Sequence, residues 1–178
     1  MGCYINETEG TIEAALTFSR AELQYDIENY AFIEGDAMGA GIEMEEAHQK
    51  HLLQDIGQKG NNDRVSRVLD CEVARVREML YPYTKYSIEN PELTNKLTEP
   101  DNYGILLKLP LEFSQTSLNL LEKMVHEYLV CKVIEDWMMI VYPAKAQAWG
   151  MRAEAAAQQM RVTMNTRNGR VRRRLGPW

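Results

Sequence analysis

Two histidines on one short segment give this sequence its nearest approach to a metal site. His48 and His51 are three residues apart, with Glu45 and Asp55 beside them. On a helix, this spacing places imidazole and carboxylate groups on one face, as a bound zinc ion requires. The HExxH arrangement separates its two histidines by four residues, however, and the local composition is typical of a solvated helix. We therefore interpret the segment as a solvated helix and predict no metal.

Other groups that could do chemistry are few. The third histidine, His126, lies between Val125 and Glu127 in an apolar helical pattern, which favours a hydrogen-bonded structural histidine. The sequence contains no GxSxG, Walker A or GxGxxG motif. An enzyme would need a convergent set of acid, base, nucleophile or metal ligands. We therefore predict no catalytic residues, no cofactor and no enzymatic activity.

The three cysteines indicate neither a disulfide framework nor a zinc knuckle. Cys3, Cys71 and Cys131 are odd in number and show no CxxC spacing. Cys71 and Cys131 both fall within apolar helical patterns, where cysteine usually behaves as a small buried hydrophobe. We therefore predict that both are buried.

The most distinctive feature is a basic tail at residues 165–178. Arginine donates two hydrogen bonds to a carboxylate or phosphate, and tryptophan supplies a large apolar anchor. An unused tail would gain nothing from exposed large hydrophobic side chains. We therefore predict that the tail binds a partner through Arg167, Arg170, Arg172, Arg173, Arg174, Leu175 and Trp178.

Charge is distributed unevenly along the chain. The 178 residues include 20 basic and 26 acidic ones, but residues 161–178 contain six arginines and no acid. The remainder carries a formal charge of −12, which would be repelled by nucleic-acid phosphate. The tail is therefore either a local nucleic-acid contact or an attachment to an acidic protein.

Composition excludes several protein classes. Apolar residues make up 45% and charged residues 26%, which are ordinary globular values. No apolar run reaches the roughly 18 residues that a membrane helix needs, and the first residues do not resemble a signal peptide. We expect one domain, no membrane contact and a soluble protein made in the cytoplasm.

Apolar periodicity predicts a mainly α-helical bundle. Residues 1–17 show no helical period and are predicted to form an N-terminal arm. Ser19 and Glu22 form a potential capping box for the first helix, and Asn61–Asp63 offer N-cap oxygens to the third. The predicted elements are helices at 18–38, 43–58, 63–81, 114–141 and 144–164 and a short strand at 104–110.

The helix at 114–141 is apolar around well over a third of its circumference, so we expect it at the centre of the bundle. The last helix is rich in alanine, which favours helix and permits close packing. The methionines of these two helices are predicted to fill the core rather than to form a binding surface.

The order of these elements carries a resemblance. An arginine-bearing helix ends at residues 79–81, a proline-punctuated segment and a short strand follow, and Leu109-Pro110 leads into the long helix EKMVHEYLVCKVIEDWM. An alanine-rich helix then precedes the basic tail. Over residues 18–164 the chain resembles the small head–tail connector (head-completion or neck) proteins of tailed bacteriophages, particularly those of phages from gut bacteria.

The resemblance implies a structural role in the virion. Family members are small helical bundles with a β-hairpin or extended loop, and identical copies form a ring, commonly a dodecamer. The ring docks below the portal protein, contacts tail or other neck proteins and extends the DNA channel, after assembly in the bacterial cytoplasm. The arm and the tail would reach adjacent proteins, and the core face of the long helix would comprise Leu121, Val125, Tyr128, Leu129, Val133 and Trp137.

This chain departs from the commonest pattern in its extra helix at 43–58 and its arginine-rich tail. Both departures leave open which neighbour each surface meets. The alternative function is that of a nucleic-acid-binding packaging or regulatory accessory that uses the tail.

Overall fold

The structure is a computed structural model that describes residues 2–8, 11–37, 44–84, 99–111 and 113–165, with the backbone alone for 2–8 and 44–47. Helices dominate these residues, in keeping with the predicted fold class. The strands are β1 Gly2–Thr8, β2 Thr11–Ser19 and β3 Asn102–Pro110, and the helices are α1 Arg20–Ala37, α2 Met44–Gln54, α3 Lys59–Met79, α4 Gln115–Val141 and α5 Pro143–Met164.

The three strands form one antiparallel sheet in the order β1-β2-β3. Strand β2 lies in the middle and pairs with β3 in a register that sets Leu16 opposite Ile105 and Phe18 opposite Tyr103. Because successive side chains of a strand point to opposite faces, every second residue of β2 and β3 is buried. The buried set is Ile12, Ala14, Leu16, Phe18, Tyr103, Ile105, Leu107 and Leu109.

The prediction of an N-terminal arm at residues 1–17 is wrong. Thr11–Ser19 is the central strand of the sheet, and its apolar side chains belong to the core of the domain. Gly2–Thr8 pairs with it as a hairpin, from Gly2 opposite Thr17 to Thr8 opposite Thr11. The segment lacks a helical period because it carries the two-residue period of a strand instead.

The helices lie close to their predicted positions, with one correction at a cap. Helix α3 begins at Lys59, so Asn61–Asp63 lie inside the helix and not at the N-cap. Gln58 occupies the N-cap position, and its side chain forms no capping hydrogen bond there. A 3₁₀ turn, Asp55–Gly57, connects α2 to this helix.

Helix α4 runs through the centre of the fold, and α5 packs back along it. Ala153, Ala156 and Ala157 are buried on α5, and side chains of this size permit two helices to pack closely. The residues proposed as the core face of α4, namely Leu121, Val125, Tyr128, Leu129, Val133 and Trp137, are all buried. Within the residues described, no helix combines the length and apolar content that a membrane span requires.

Of the cysteines and methionines predicted to lie in the core, some are buried and others are exposed. Cys131 is buried, but the prediction that Cys71 is buried is wrong, because this side chain is exposed on α3. Met138, Met160 and Met164 are buried, whereas two of the other methionines on α4 and α5 remain exposed; these are Met139 and Met151. The exposed residues lie on helix faces that no described element covers.

Candidate interaction surfaces

The predicted tail lies outside the described residues. Helix α5 ends at Met164, where the Asn165 side-chain amide donates a 2.9 Å hydrogen bond to the carbonyl of Arg161. The tail residues singled out from the sequence, namely Arg167, Arg170, Arg172, Arg173, Arg174, Leu175 and Trp178, all follow this point.

The structure describes the side chains of both histidines of α2, whereas the side chain of Glu45 lies outside the described part. His48 and His51 are both exposed. Among the described residues, no group of three or more His, Cys, Asp or Glu side chains is placed to hold a metal ion.

Helix α1 packs against one flank of α4 and against α5. His126 of α4 is buried, and its Nε2 lies 2.7 Å from Oδ2 of Asp26 on α1. Further along, Lys145 Nζ donates a 2.6 Å hydrogen bond to Oε2 of Glu34. The first contact joins α1 to α4 and the second joins α1 to α5, and the first places His126 in the hydrogen-bonded structural role that the sequence predicts.

Arg152 of α5 completes the packing on this flank. Its guanidinium carbon lies 5.1 Å from the ring centroid of Tyr30 and 5.0 Å from that of Trp149, which are cation–π distances. Its Nη2 also lies 2.5 Å from Oε1 of Glu127. Burial alone would lower the pKa of Arg152, but the Tyr30 hydroxyl and the Glu127 carboxylate outweigh burial and raise it.

Helix α3 packs against another flank of α4. The Tyr128 hydroxyl donates a 2.8 Å hydrogen bond to Oε2 of Glu72, and Arg64 Nε donates a 2.8 Å hydrogen bond to Oδ2 of Asp136. Burial, followed by the hydrogen bond to Glu72, raises the pKa of Tyr128 above its usual range. This hydroxyl therefore stays protonated and joins the two helices.

The two flanks face in opposite directions. His126 and Tyr128 are two residues apart on α4, and each residue of an α-helix turns the chain by about 100°. The side chain that contacts α1 and the side chain that contacts α3 thus point about 200° apart. Helices α1 and α3 consequently lie on opposite sides of the central helix.

The outward side of α1 carries exposed aromatic and aliphatic side chains. Tyr25 is 68% exposed, Phe32 54% and Ile33 52%. Tyr25 and Phe32 are seven residues apart, so they lie on one stripe of the helix. Asn29 and Asp36 on the same side are also exposed, and exposed Glu28 lies at its border, with its carboxyl group beside Gly57 of the 3₁₀ turn. We define the α1 surface as Tyr25, Glu28, Asn29, Phe32, Ile33 and Asp36.

A groove of about 480 Å³ lies between α3 and α4 on the opposite side of the molecule. Val68, Cys71 and Met139 give it apolar and sulfur-containing walls, and Met139 is 64% exposed. Its charged walls carry four basic and three acidic side chains. The α3–α4 groove is lined by Arg64, Arg67, Val68, Cys71, Glu72, Arg75, Lys132, Glu135, Asp136 and Met139.

Three of the four cations in this groove are already paired. Arg64 bonds to Asp136, Arg75 Nη1 lies 2.7 Å from Oε1 of Glu72, and Lys132 Nζ lies 2.6 Å from Oε2 of Glu135. Arg67 makes no ion pair with any residue in the described part of the chain. The groove therefore offers one uncompensated guanidinium beside apolar walls.

The α1 surface has the converse charge pattern. Asp36 pairs with Lys50 at 2.8 Å. Glu28 is exposed and forms no ion pair with a residue that the structure describes. Each surface thus combines exposed apolar side chains with one charged group that lacks an ion partner among the described residues, and the two charges are opposite in sign.

Two titratable groups in the interior of the fold are held in their protonated forms. Burial raises the pKa of the Cys131 thiol to about 12, with a further contribution from Glu127, so at neutral pH the group is a protonated, unreactive thiol. Burial also raises the pKa of Tyr103 above its usual range, and so does neighbouring Asp70. Both groups therefore stay neutral inside the fold at neutral pH.

Sequence reasoning missed both surfaces. The sequence patterns described above point to neither the α1 surface nor the α3–α4 groove. A stricter helical projection would have placed Phe32 about 140° from the buried Ile27. The groove has no comparable signal, because its α3 and α4 walls are separated by more than fifty residues of sequence.

Comparisons of this chain with protein-family models, with curated proteins and with solved structures found no match in any of the three.

Proposed function

We propose that this chain is a structural protein of a tailed-bacteriophage virion, a head–tail connector or neck protein. Its copies would form a ring, in the family commonly a dodecamer, that joins the capsid portal to the tail and extends the DNA channel. The helical bundle around one long helix agrees with the resemblance in element order. The proposed partners are further copies of the chain, the portal protein and tail or other neck proteins.

One observation carries this proposal. The chain exposes two separate surfaces with apolar side chains, on opposite sides of α4, and a lone copy leaves both in water. Exposed apolar side chains grouped with polar ones are typical of sites where proteins bind each other. A protein with two such surfaces can contact a neighbour on each side, as every member of a ring does.

Charge supports the same role. With residues 161–178 set aside, the chain carries −12, and a negative wall lets DNA pass through a channel without adhering to it. The arginine-rich tail would then attach to an acidic protein neighbour. One tail binds weakly, but many tails on one ring raise the effective concentration and therefore the overall affinity.

Truncation of the tail tests the proposal. A chain ending at Met164 should keep the helical circular dichroism of the full-length protein but should no longer attach to rings of the portal protein from the same phage. The readout is co-sedimentation with portal rings and, in infected cells, the yield of tailed particles. Unchanged attachment and unchanged particle assembly with the truncated chain would count against the proposed role of the tail.

A further inference from the structure

We propose that the α1 surface of one copy binds the α3–α4 groove of a second copy, so that copies join head to tail. This inference deepens the proposed ring and rests on it. It names the two patches that meet and the chemistry that holds them together.

The first argument is the position of the two patches. Helices α1 and α3 lie on opposite sides of α4, as the contacts of His126 and Tyr128 show. One copy therefore cannot cover its own groove with its own α1 surface. A contact between two different patches leaves one free patch at each end of a growing assembly, and such contacts close into a ring when the rotation between neighbours permits it.

The second argument is the match of apolar groups. Phe32 and Tyr25 stand more than half exposed on α1, and Met139 and Val68 line the groove. Removing such side chains from water is the main driving force of protein association. Methionine adapts its shape readily and makes favourable contacts with aromatic rings, so Met139 is suited to receive an aromatic side chain.

The third argument is the match of charges. Arg67 in the groove and Glu28 on α1 each lack an ion pair with any described residue. A guanidinium and a carboxylate form the strongest class of charge-assisted hydrogen bond when they meet. Contact between the two patches would supply each group with a partner.

A symmetric contact between two α1 surfaces is less favourable. It would bring Glu28 of one copy near Glu28 of the other, and like charges repel across an interface. It would also leave Arg67 and Met139 uncovered. The pairing of unlike patches satisfies both surfaces at once.

Two single substitutions in the full-length protein test this interface. Phe32→Arg alters the α1 surface and leaves the groove intact, whereas Arg67→Glu alters the groove and leaves the α1 surface intact. Leu111→Arg and Arg161→Glu are matched controls, since Leu111 is as exposed as Phe32 and Arg161 is an exposed arginine outside both patches. Sedimentation velocity over a concentration series measures association, and far-UV circular dichroism verifies folding.

We expect each interface variant alone to associate at least about thirtyfold more weakly than the wild type. Mixed together, the two variants should form a heterodimer of two 20.5 kDa chains and no larger assembly. The intact α1 surface of the Arg67→Glu chain can bind the intact groove of the Phe32→Arg chain, and the two patches left over are both altered. Both controls should assemble as the wild type does. If either substitution unfolds the chain, Phe32→Ser and Arg67→Ala replace it with the same expectations.

The failure modes are distinct. If the wild type assembles but the mixed variants stay monomeric, the proposed pairing of patches is wrong. The same holds if Arg67→Glu assembles alone. Neither result contradicts the proposed ring. If the wild type itself stays monomeric over the concentration series, the ring and the proposed function fail together.

Discussion

The hydroxyl of Tyr128 on α4 donates a 2.8 Å hydrogen bond to the carboxylate of Glu72 on α3, and both side chains are buried. Arg75 holds the other carboxylate oxygen at 2.7 Å. Nothing else described on α3 satisfies this buried carboxylate, so the tyrosine fixes the helix that forms one wall of the groove. This buried contact therefore helps to hold one wall of the groove in place, together with the ion pair between Arg64 and Asp136.

Tyr128→Phe should destabilise the fold. The substitution leaves one oxygen of a buried carboxylate without its donor, which costs about 1 to 3 kcal/mol. Chemical denaturation monitored by circular dichroism measures the loss. Tyr81→Phe is the control, because Tyr81 is 65% exposed, and its unfolding free energy should change by less than about 0.5 kcal/mol. Equal effects of the two substitutions would show that the Tyr128 contact contributes nothing.

The two helix cysteines should differ sharply in reactivity. Cys71 is exposed on α3, whereas Cys131 is buried. The comparison is made in a Cys3→Ser background, so that only these two thiols can react. An alkylating reagent should therefore modify Cys71 in the native monomer at least about a hundredfold faster than Cys131, which reacts only when the core opens. Peptide mass spectrometry locates the label.

Assembly should slow the alkylation of Cys71. Cys71 lines the groove, so head-to-tail contact should slow its labelling at protein concentrations where the ring forms. Dilution to the monomer should restore the fast rate. Labelling of Cys71 that is independent of assembly would contradict an occupied groove.

Alkaline pH should weaken the fold through Cys131. The pKa of this thiol is 9.0 ordinarily and about 12 in the folded protein. Between these values the unfolded chain has released a proton that the folded chain still holds, so stability falls as pH rises. From pH 8 to pH 10 the wild type should lose about 1.4 kcal/mol more than Cys131→Ala, as followed by urea denaturation.

Val130→Ala is the control for that comparison. It removes buried apolar volume beside Cys131 without removing the thiol, so it should lower stability at every pH yet keep the wild-type dependence on pH. If the unfolding free energies of the wild type and of Cys131→Ala changed with pH in parallel, the thiol would have the same pKa in the folded and unfolded chains, which would contradict this prediction.

A salt series with duplex DNA separates the proposed function from nucleic-acid binding. If the tail of this protein acted on phosphate, about six contacts would give a log–log slope of affinity against salt near −5. We expect no such binding, because the rest of the chain is strongly negative. Fluorescence anisotropy with labelled DNA measures it, and tight, salt-sensitive binding that disappears on deleting residues 165–178 would favour the accessory role instead.

The helices were predictable because their signals are local. Pro82 lies shortly after the end of α3, Pro143 is the first residue of α5, and the three-and-four spacing of apolar residues defines α4. The sheet was only half predictable. Strand β3 is bounded by turn-forming residues, but β2 alternates small and large side chains, as in Ala14 and Leu16, and was missed.

The surfaces depend on relationships that no local pattern contains. Strand β2 pairs with β3 across more than eighty residues of sequence, and the groove lies between two helices that Glu72 and Tyr128 join across more than fifty. The exposure of Cys71, by contrast, can be predicted from its position on the helix. It lies about 160° around α3 from the buried Val73, which places it on the outer face.

The mass of the full-length protein in solution tests the central claim most directly. Native mass spectrometry of the purified chain, alone and with its portal protein, should reveal a closed assembly at an integral multiple of 20.5 kDa that also binds the portal. A protein that remains a single 20.5 kDa chain at every concentration, with and without portal, would contradict the account.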